Sequence, residues 1–317
     1  MQKRQLGNTV LNVYPITFGG NVFGWTIDEK TSFEILDAFT GAGFNFIDTA
    51  DVYSRWAPGN EGGESETIIG NWLKKNKNRN DIIIATKVGG DMGSGKKDLS
   101  KKYILKAAED SLRRLQTDHI DLYQTHWDDV ATPIEETLDA YAHLIKEGKV
   151  RHIGASNLSP ERLKLSLQTA FKEGLPAYQT FQPHYNLYER QVFEEALEPI
   201  CLANNLGVLN YYSLASGFLT GKYRTEADLN KSARGGGVAK YLDARGLKIL
   251  AALDKVAAEL NTTPATVALS WLIHRPSVTA PIVSATSLKQ LESITKAPDL
   301  PITAQQLDFL TQESNWK

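Results

Sequence analysis

Short apolar runs alternate along the chain with longer stretches whose apolar positions recur every three or four residues. The runs are Tyr14–Phe18, Phe44–Ile47, Ile82–Thr86, Ile120–Tyr123, Val150–Gly154, Tyr178–Phe181, Gly207–Tyr211 and Thr279–Val283. They are bounded by Gly, Asn or Asp and apolar on both faces, as parallel strands covered on both sides are. Helical spacing fills the gaps at Thr31–Thr40, Glu64–Lys75, Ser100–Leu115, Thr132–Lys146, Ser159–Ala170, Arg190–Asn204, Asp243–Glu259 and Ser287–Thr295. Ser159-Pro160 and Thr263-Pro264 are helix starts, a capping hydroxyl followed by a proline whose missing N–H costs nothing there. Gly41, Gly148, Gly174 and Gly207 follow helix ends, where a left-handed residue is wanted.

About eight strand–helix units in strict alternation predict an α/β fold, a (β/α)8 TIM barrel forming a single domain over residues 1–317. An open doubly wound sheet is the runner-up, but the Gly-rich dinucleotide fingerprint it usually carries is absent. Gly7-Asn8 within Arg4–Val13 predicts a short N-terminal β-hairpin, and helices near Pro264–His274 and Thr303–Thr311 are expected as peripheral additions. The turn-rich stretch Tyr223–Lys240 is long enough to suggest a lid.

Composition narrows the partners. With 317 residues, 42% hydrophobic and 23% charged, the chain is ordinary for a well-cored globular protein. A net charge of −2 gives no bulk field for nucleic acid or an anionic membrane. One cysteine, Cys201, allows no internal disulfide and reads as a buried small hydrophobe. With neither a signal-like start nor a membrane-length apolar run, the expected location is the cytoplasm.

Three weak motifs are set aside. Gly90–Lys96 nearly matches a phosphate-binding loop, but Lys97 stands where a magnesium-binding hydroxyl belongs. The six histidines, among them His119, His143, His152, His184 and His274, show no ligand spacing, so no metal is expected. No Gly-x-Ser-x-Gly elbow offers a hydrolase nucleophile.

In a barrel, functional side chains gather where strands end. Those positions hold Asp48 and Tyr53 after the second strand, Lys87 after the third and His126 after the fourth. Singly each has an ordinary structural reading; together they make a proton-donating site. A phenol is a weak acid at neutral pH, and an adjacent ammonium lowers its pKa while a carboxylate holds that ammonium in place. Tyr53, Lys87 and Asp48 fit those parts, and His126 suits orienting a carbonyl oxygen.

The segment Asn45-Phe46-Ile47-Asp48-Thr49-Ala50-Asp51-Val52-Tyr53 resembles the signature of the aldo-keto reductase superfamily. Gly154–Asn157, Gln182–Asn186 and Tyr211–Lys222 agree with it in the same order, and the likeness is greatest to the bacterial branch related to potassium-channel β subunits. The resemblance implies a catalytic tetrad of Tyr53, Asp48, Lys87 and His126, reducing aldehydes or ketones with NADPH. It assigns Ser156, Asn157 and Gln182 to the nicotinamide carboxamide and Tyr211 to stacking on the ring. Gly217, Leu219, Gly221 and Lys222 match its pyrophosphate region, where bare backbone amides and one cation are expected. Ser284, Thr286, Lys289 and Gln290 match its adenosine-phosphate segment, although the family's frequent cation is missing at Ser284 and Thr286, which keeps NADH open as an alternative. Trp25, Trp56 and Trp127 lie on rim loops and are candidates for the substrate wall. Two other functions stay open: a redox-reporting nicotinamide-binding module with little turnover, and a lyase using Lys87 as a Schiff-base nucleophile. Monomer or homo-oligomer is left undetermined.

Overall fold

A computed structural model describes residues 2–232 and 235–317; Ala233 and Arg234, inside the expected lid, lie outside the described residues. An antiparallel hairpin, β1 (Arg4–Gln5) and β2 (Asn12–Val13), precedes eight parallel strands. These are β3 (Thr17–Gly19), β4 (Phe46–Asp48), β5 (Ile83–Val88), β6 (Ile120–Thr125), β7 (Val150–Ser156), β8 (Thr180–Gln182), β9 (Gly207–Val208) and β10 (Ile282–Val283). They pair in chain order from β3 to β9, and β10 pairs with β3. The seam between the last two strands is made by Thr279 N–H donating to Val208 O and Ile282 N–H to Asn210 O, each at 2.9 Å. The sheet is thereby a closed (β/α)8 barrel.

Prolines shift two strand boundaries from the expected ones. Pro15 has no N–H, so regular pairing starts at Thr17, while Tyr14 N–H donates to Asn45 Oδ1 instead. Pro281 likewise limits regular pairing of the last strand to Ile282–Val283. A third proline bears on a helix: Arg190–Asn204 passes through a wider π-turn, Phe193–Leu197, just before Pro199, which cannot donate back along a regular helix.

The remaining helices are α1 (Glu29–Gly41), α2 (Glu64–Asn76), α3 (Lys101–Leu115), α4 (Ile134–Lys146), α5 (Pro160–Glu173), α6 (Glu198–Ala203), α7 (Ala244–Glu259), α8 (Pro264–Ile273), α9 (Leu288–Thr295) and α10 (Ala304–Glu313). Ser159 and Thr263 cap α5 and α8 as expected, through N–H bonds from Arg162 and Thr266. The peripheral assignment of Pro264–His274 is corrected. Every residue from Ala265 to Ile273 is buried, whereas α7 buries one face only. A helix apolar all round belongs inside; α8 is the interior helix before the last strand. Gly148 and Gly174 are left-handed as expected, but Gly41 is helical and Gly207 lies in β9. Gly207 is needed for a close approach instead: a Cβ there would come within 2.6 Å of Leu6 Cδ1 and 2.8 Å of Gly7 N in the hairpin.

That approach seats the hairpin beneath the barrel. Leu6, Leu11 and Val13 form one buried cluster with Phe46, Ala85, Leu122, Leu209, Ala280 and Ile282. The floor of the barrel is apolar. Two residues further along three of those strands come Asp48, Lys87 and Gln124, all fully buried. Because side chains alternate between faces with a period of two, these polar groups form the layer above the floor. Among the described residues no helix is long and apolar enough to cross a membrane.

Candidate active site

The polar layer centres on Lys87. Its Nζ atom donates to Asp48 Oδ2 at 2.6 Å, Thr49 O at 2.8 Å and Tyr53 Oη at 3.0 Å. An ammonium has three N–H donors, and here each has an acceptor. Burial pushes the Lys87 pKa down, and the Asp48 carboxylate works against that shift. Asp48 also accepts from Tyr53 Oη at 3.4 Å, and its Oδ1 from the amides of Gln182 at 3.0 Å and Gln124 at 3.2 Å. Such a carboxylate is fixed in both position and orientation.

His126 joins the group from the end of β6. Its ring meets that of Tyr53 edge-on, 5.9 Å between centroids. Burial, then the neighbouring Lys87 charge, holds its pKa well below the ordinary value, so the imidazole is neutral and suited to hydrogen-bonding a carbonyl oxygen. The three tryptophans border the same place: Trp56 is 6.0 Å from Tyr53 and 5.5 Å from Trp25, and Trp127 stacks on His126 at 6.0 Å.

The residues matched to the nicotinamide are linked to one another and to this cluster. Tyr211 Oη donates to Asn157 Oδ1 at 2.8 Å, Asn157 Nδ2 to Ser156 Oγ at 3.1 Å, and Ser156 Oγ to Gln182 O at 2.8 Å. Through Gln182 the chain of bonds reaches Asp48 and Lys87. Asn157 sits at φ +54°, a left-handed conformation that Asn adopts more readily than most residues. Tyr211, not Tyr212, is the tyrosine in contact with Asn157, and His184 stacks against it at 5.2 Å.

Farther out, one expectation fails. The N–H groups of Gly217, Leu219 and Gly221 are not bare; they donate to Leu214 O, Leu214 O and Phe218 O, because the segment is tightly turned. Lys222 does lie over this turn: a Cβ on Gly217 would stand 3.4 Å from its Nζ. Ser284 Oγ lies 2.6 Å from Gly19 O and 2.7 Å from Asn21 Oδ1, and Thr286 donates to Gln290 Oε1. Lys289, exposed in the first turn of α9, is the cation of that segment.

Gln124 and His184 were missed from sequence. The signal for Gln124 was there: it follows lumen-facing Leu122 by two residues, as Lys87 follows Ala85 and Asp48 follows Phe46. His184 gave no such signal: it lies beyond the end of β8, and its parallel bridge to Tyr211 carries on the pairing of β8 with β9 past the apolar run Tyr178–Phe181.

Behind Lys87 lies a second buried acid. Asp51 Oδ1 has no hydrogen-bond partner, and burial, then the Glu66 carboxylate, push its carboxyl up to about 8, against Arg114 and Lys87. Glu66 itself accepts from Arg114 Nε at 2.6 Å and Thr86 Oγ1 at 2.5 Å. An unfolded aspartate titrates near 3.9, so the folded state holds this proton more tightly. The stability it contributes is therefore present in acid and lost as pH rises from about 4 through about 8. Asp51→Asn, which cannot ionise, is expected to gain in Tm over the parent as pH is raised across that window. Parallel Tm–pH curves for the two proteins would sink this reading.

A (β/α)8 barrel with Tyr53, Lys87, Asp48 and His126 gathered at the carboxyl ends of its strands is the arrangement the sequence reading expected. Comparison with known proteins agrees: the model of the aldo/keto reductase family matches residues 15–313. The chain belongs to the aldo/keto reductase family, and it is an oxidoreductase. It is 35% identical to an uncharacterized oxidoreductase, YrpG, of Bacillus subtilis (strain 168), over 98% of this chain and 95% of that protein. It is also 35% identical to the aldo-keto reductase YhdN of the same organism, over 88% of this chain and 81% of the other. A probable voltage-gated potassium channel subunit beta of Arabidopsis thaliana is 32% identical, over 98% and 97%.

Proposed function

We propose that this protein reduces aldehydes and ketones to alcohols with NADPH, NADH being the alternative donor, and that Tyr53 is the general acid. The observation that carries this is the position of Lys87 Nζ, within hydrogen-bond distance of both Asp48 and Tyr53. An ammonium held there favours the ionised phenol, so Tyr53 gives up its proton more readily. As charge develops on the carbonyl oxygen, Tyr53 Oη delivers that proton and neutral His126 fixes the oxygen's direction.

The dinucleotide end fits the same reading. Ser156, Asn157 and Gln182 gather hydroxyl and amide groups suited to a carboxamide, with the Tyr211 ring beside them. When bound, a reduced nicotinamide supplies the hydride. Lys222 would meet the pyrophosphate and Lys289 a 2′-phosphate, while the stretch Tyr223–Lys240 would cover the bound dinucleotide and slow its release. The Schiff-base alternative is disfavoured by geometry, since all three Nζ donors of Lys87 are engaged and the amine is fully buried.

Titration of tryptophan fluorescence with NADPH and with NADH, followed by steady-state oxidation of the preferred nucleotide with a reactive aldehyde, tests the proposal. Quenching by NADPH at lower concentration than by NADH, with turnover, is the expected outcome. Tight binding without turnover would favour the binding-module reading, for which the similarity to the channel subunit speaks. Failure to bind either nucleotide would overturn both.

A further inference from the structure

The loop after β5, residues 89–99, packs on the segment that carries Tyr53; one cation, Arg55, lies against it from that segment, and a second, Lys97, belongs to the loop itself. Loop and segment press on one another: Gly90 lies against Val52, and Met92 against Gly62. Gly93, at φ +104°, leaves room for the guanidinium of Arg55 to lie on its backbone, and a Cβ there would come 2.5 Å from Arg55 Nη2. Arg55 is two residues from Tyr53 and next to Trp56. At the other end of the loop, Lys97 Nζ stands 4.8 Å from the centre of the Trp127 ring, the ring stacked on His126.

Neither cation forms an ion pair with a described carboxylate, although acids are close. Asp91 Oδ1 accepts instead from the N–H groups of Gly93 and Gly95, at 2.8 and 2.9 Å, and those bonds, with Arg55 contributing, hold its carboxyl below the usual range. Asp98 accepts from Ser100 N–H, Asp129 from Leu99 N–H and Thr132 Oγ1, and Asp128 from Arg162. The nearby carboxylates are thus turned to their own backbone or to Arg162. Arg55, two residues from Tyr53 and next to Trp56, and Lys97, seated on the Trp127 ring that stacks on His126, remain.

The geometry points to a substrate class: carbonyl compounds that also carry an anionic group, a carboxylate or a phosphate, which Arg55 and Lys97 bind while the carbonyl lies between Tyr53 and His126. This rests on the carbonyl-reductase reading and refines it. A guanidinium offers paired N–H donors to either oxyanion, and an ammonium seated on an indole is a point charge with its donors directed outward. The trapped loop geometry positions both before the ligand arrives.

The test compares matched aldehydes in the intact protein: 4-oxobutanoate against butanal, and glyceraldehyde 3-phosphate against glyceraldehyde. At low ionic strength kcat/KM is expected to favour an anionic member by about tenfold or more, mostly through KM, and the preference should shrink as salt is added. Which pair shows the larger ratio separates carboxylate from phosphate. In the double variant Arg55→Gln, Lys97→Gln the anionic-to-neutral ratio should fall by about tenfold, and the double variant Arg55→Lys, Lys97→Arg should restore much of it. Equal kcat/KM within both pairs, or a ratio that survives the glutamine variant, overturns the substrate class while leaving carbonyl reduction intact. Absence of turnover with all four aldehydes overturns the underlying reading and this one with it.

Discussion

Tyr53→Phe is expected to lower kcat for aldehyde reduction by about 10³-fold, within the range by which a positioned general acid accelerates proton transfer. In free energy that is about 4 kcal/mol of lost transition-state stabilisation. Affinity for the nicotinamide nucleotide should be nearly unchanged, because the side chains assigned to the ring are Ser156, Asn157, Gln182 and Tyr211, which are held by hydrogen bonds among themselves and to Asp48. The substitution leaves the ring and its contacts with Trp56 and His126 in place and removes one oxygen. Near-parental turnover in this variant would remove Tyr53 as the acid.

Lys87→Met should abolish turnover to a similar degree and carry a second signature. Without the ammonium the phenol loses the group that favours its ionised form, so the limb of the pH–rate profile assigned to Tyr53 should disappear from the accessible range. The fold should suffer as well. Asp48 would be left as a fully buried carboxylate with only the two glutamine amides and the phenol as donors. Breaking one side of a buried pair costs about 3–5 kcal/mol. The double variant Lys87→Met, Asp48→Asn should recover much of the lost Tm and none of the activity. Recovery of neither would show that Lys87 serves packing and not charge; residual activity with an unaltered pH profile would exclude its role toward Tyr53.

The grouping of Asp48, Tyr53, Lys87 and His126 was legible because chemistry and topology coincide there. Strand ends in a parallel barrel converge on one rim, so Asp48, Lys87 and His126, far apart in the chain, needed only their positions after apolar runs to be grouped. Gln124 was equally accessible to a period-two reading but falls one residue past the apolar run Ile120–Tyr123, while β6 continues to Thr125. Helix α8 was misplaced for a different reason. Its apolar character was evident, yet a helix buried all round and a peripheral one both read as an extra element when the strand–helix count is already complete. The turn around Gly217 was beyond sequence reasoning altogether: which backbone N–H groups are engaged depends on Tyr212, Ala215 and Ser216, none of them glycine, taking left-handed conformations just ahead of it. The close approach at Gly207 belongs with these, since the hairpin it meets lies about two hundred positions earlier in the chain.

The plugged floor has a consequence for traffic. With Leu6, Leu11 and Val13 stopping the lower end, the barrel is a cup and not a tube. If, as proposed, a nucleotide and a carbonyl compound share that vessel, the deeper guest would arrive first and leave last.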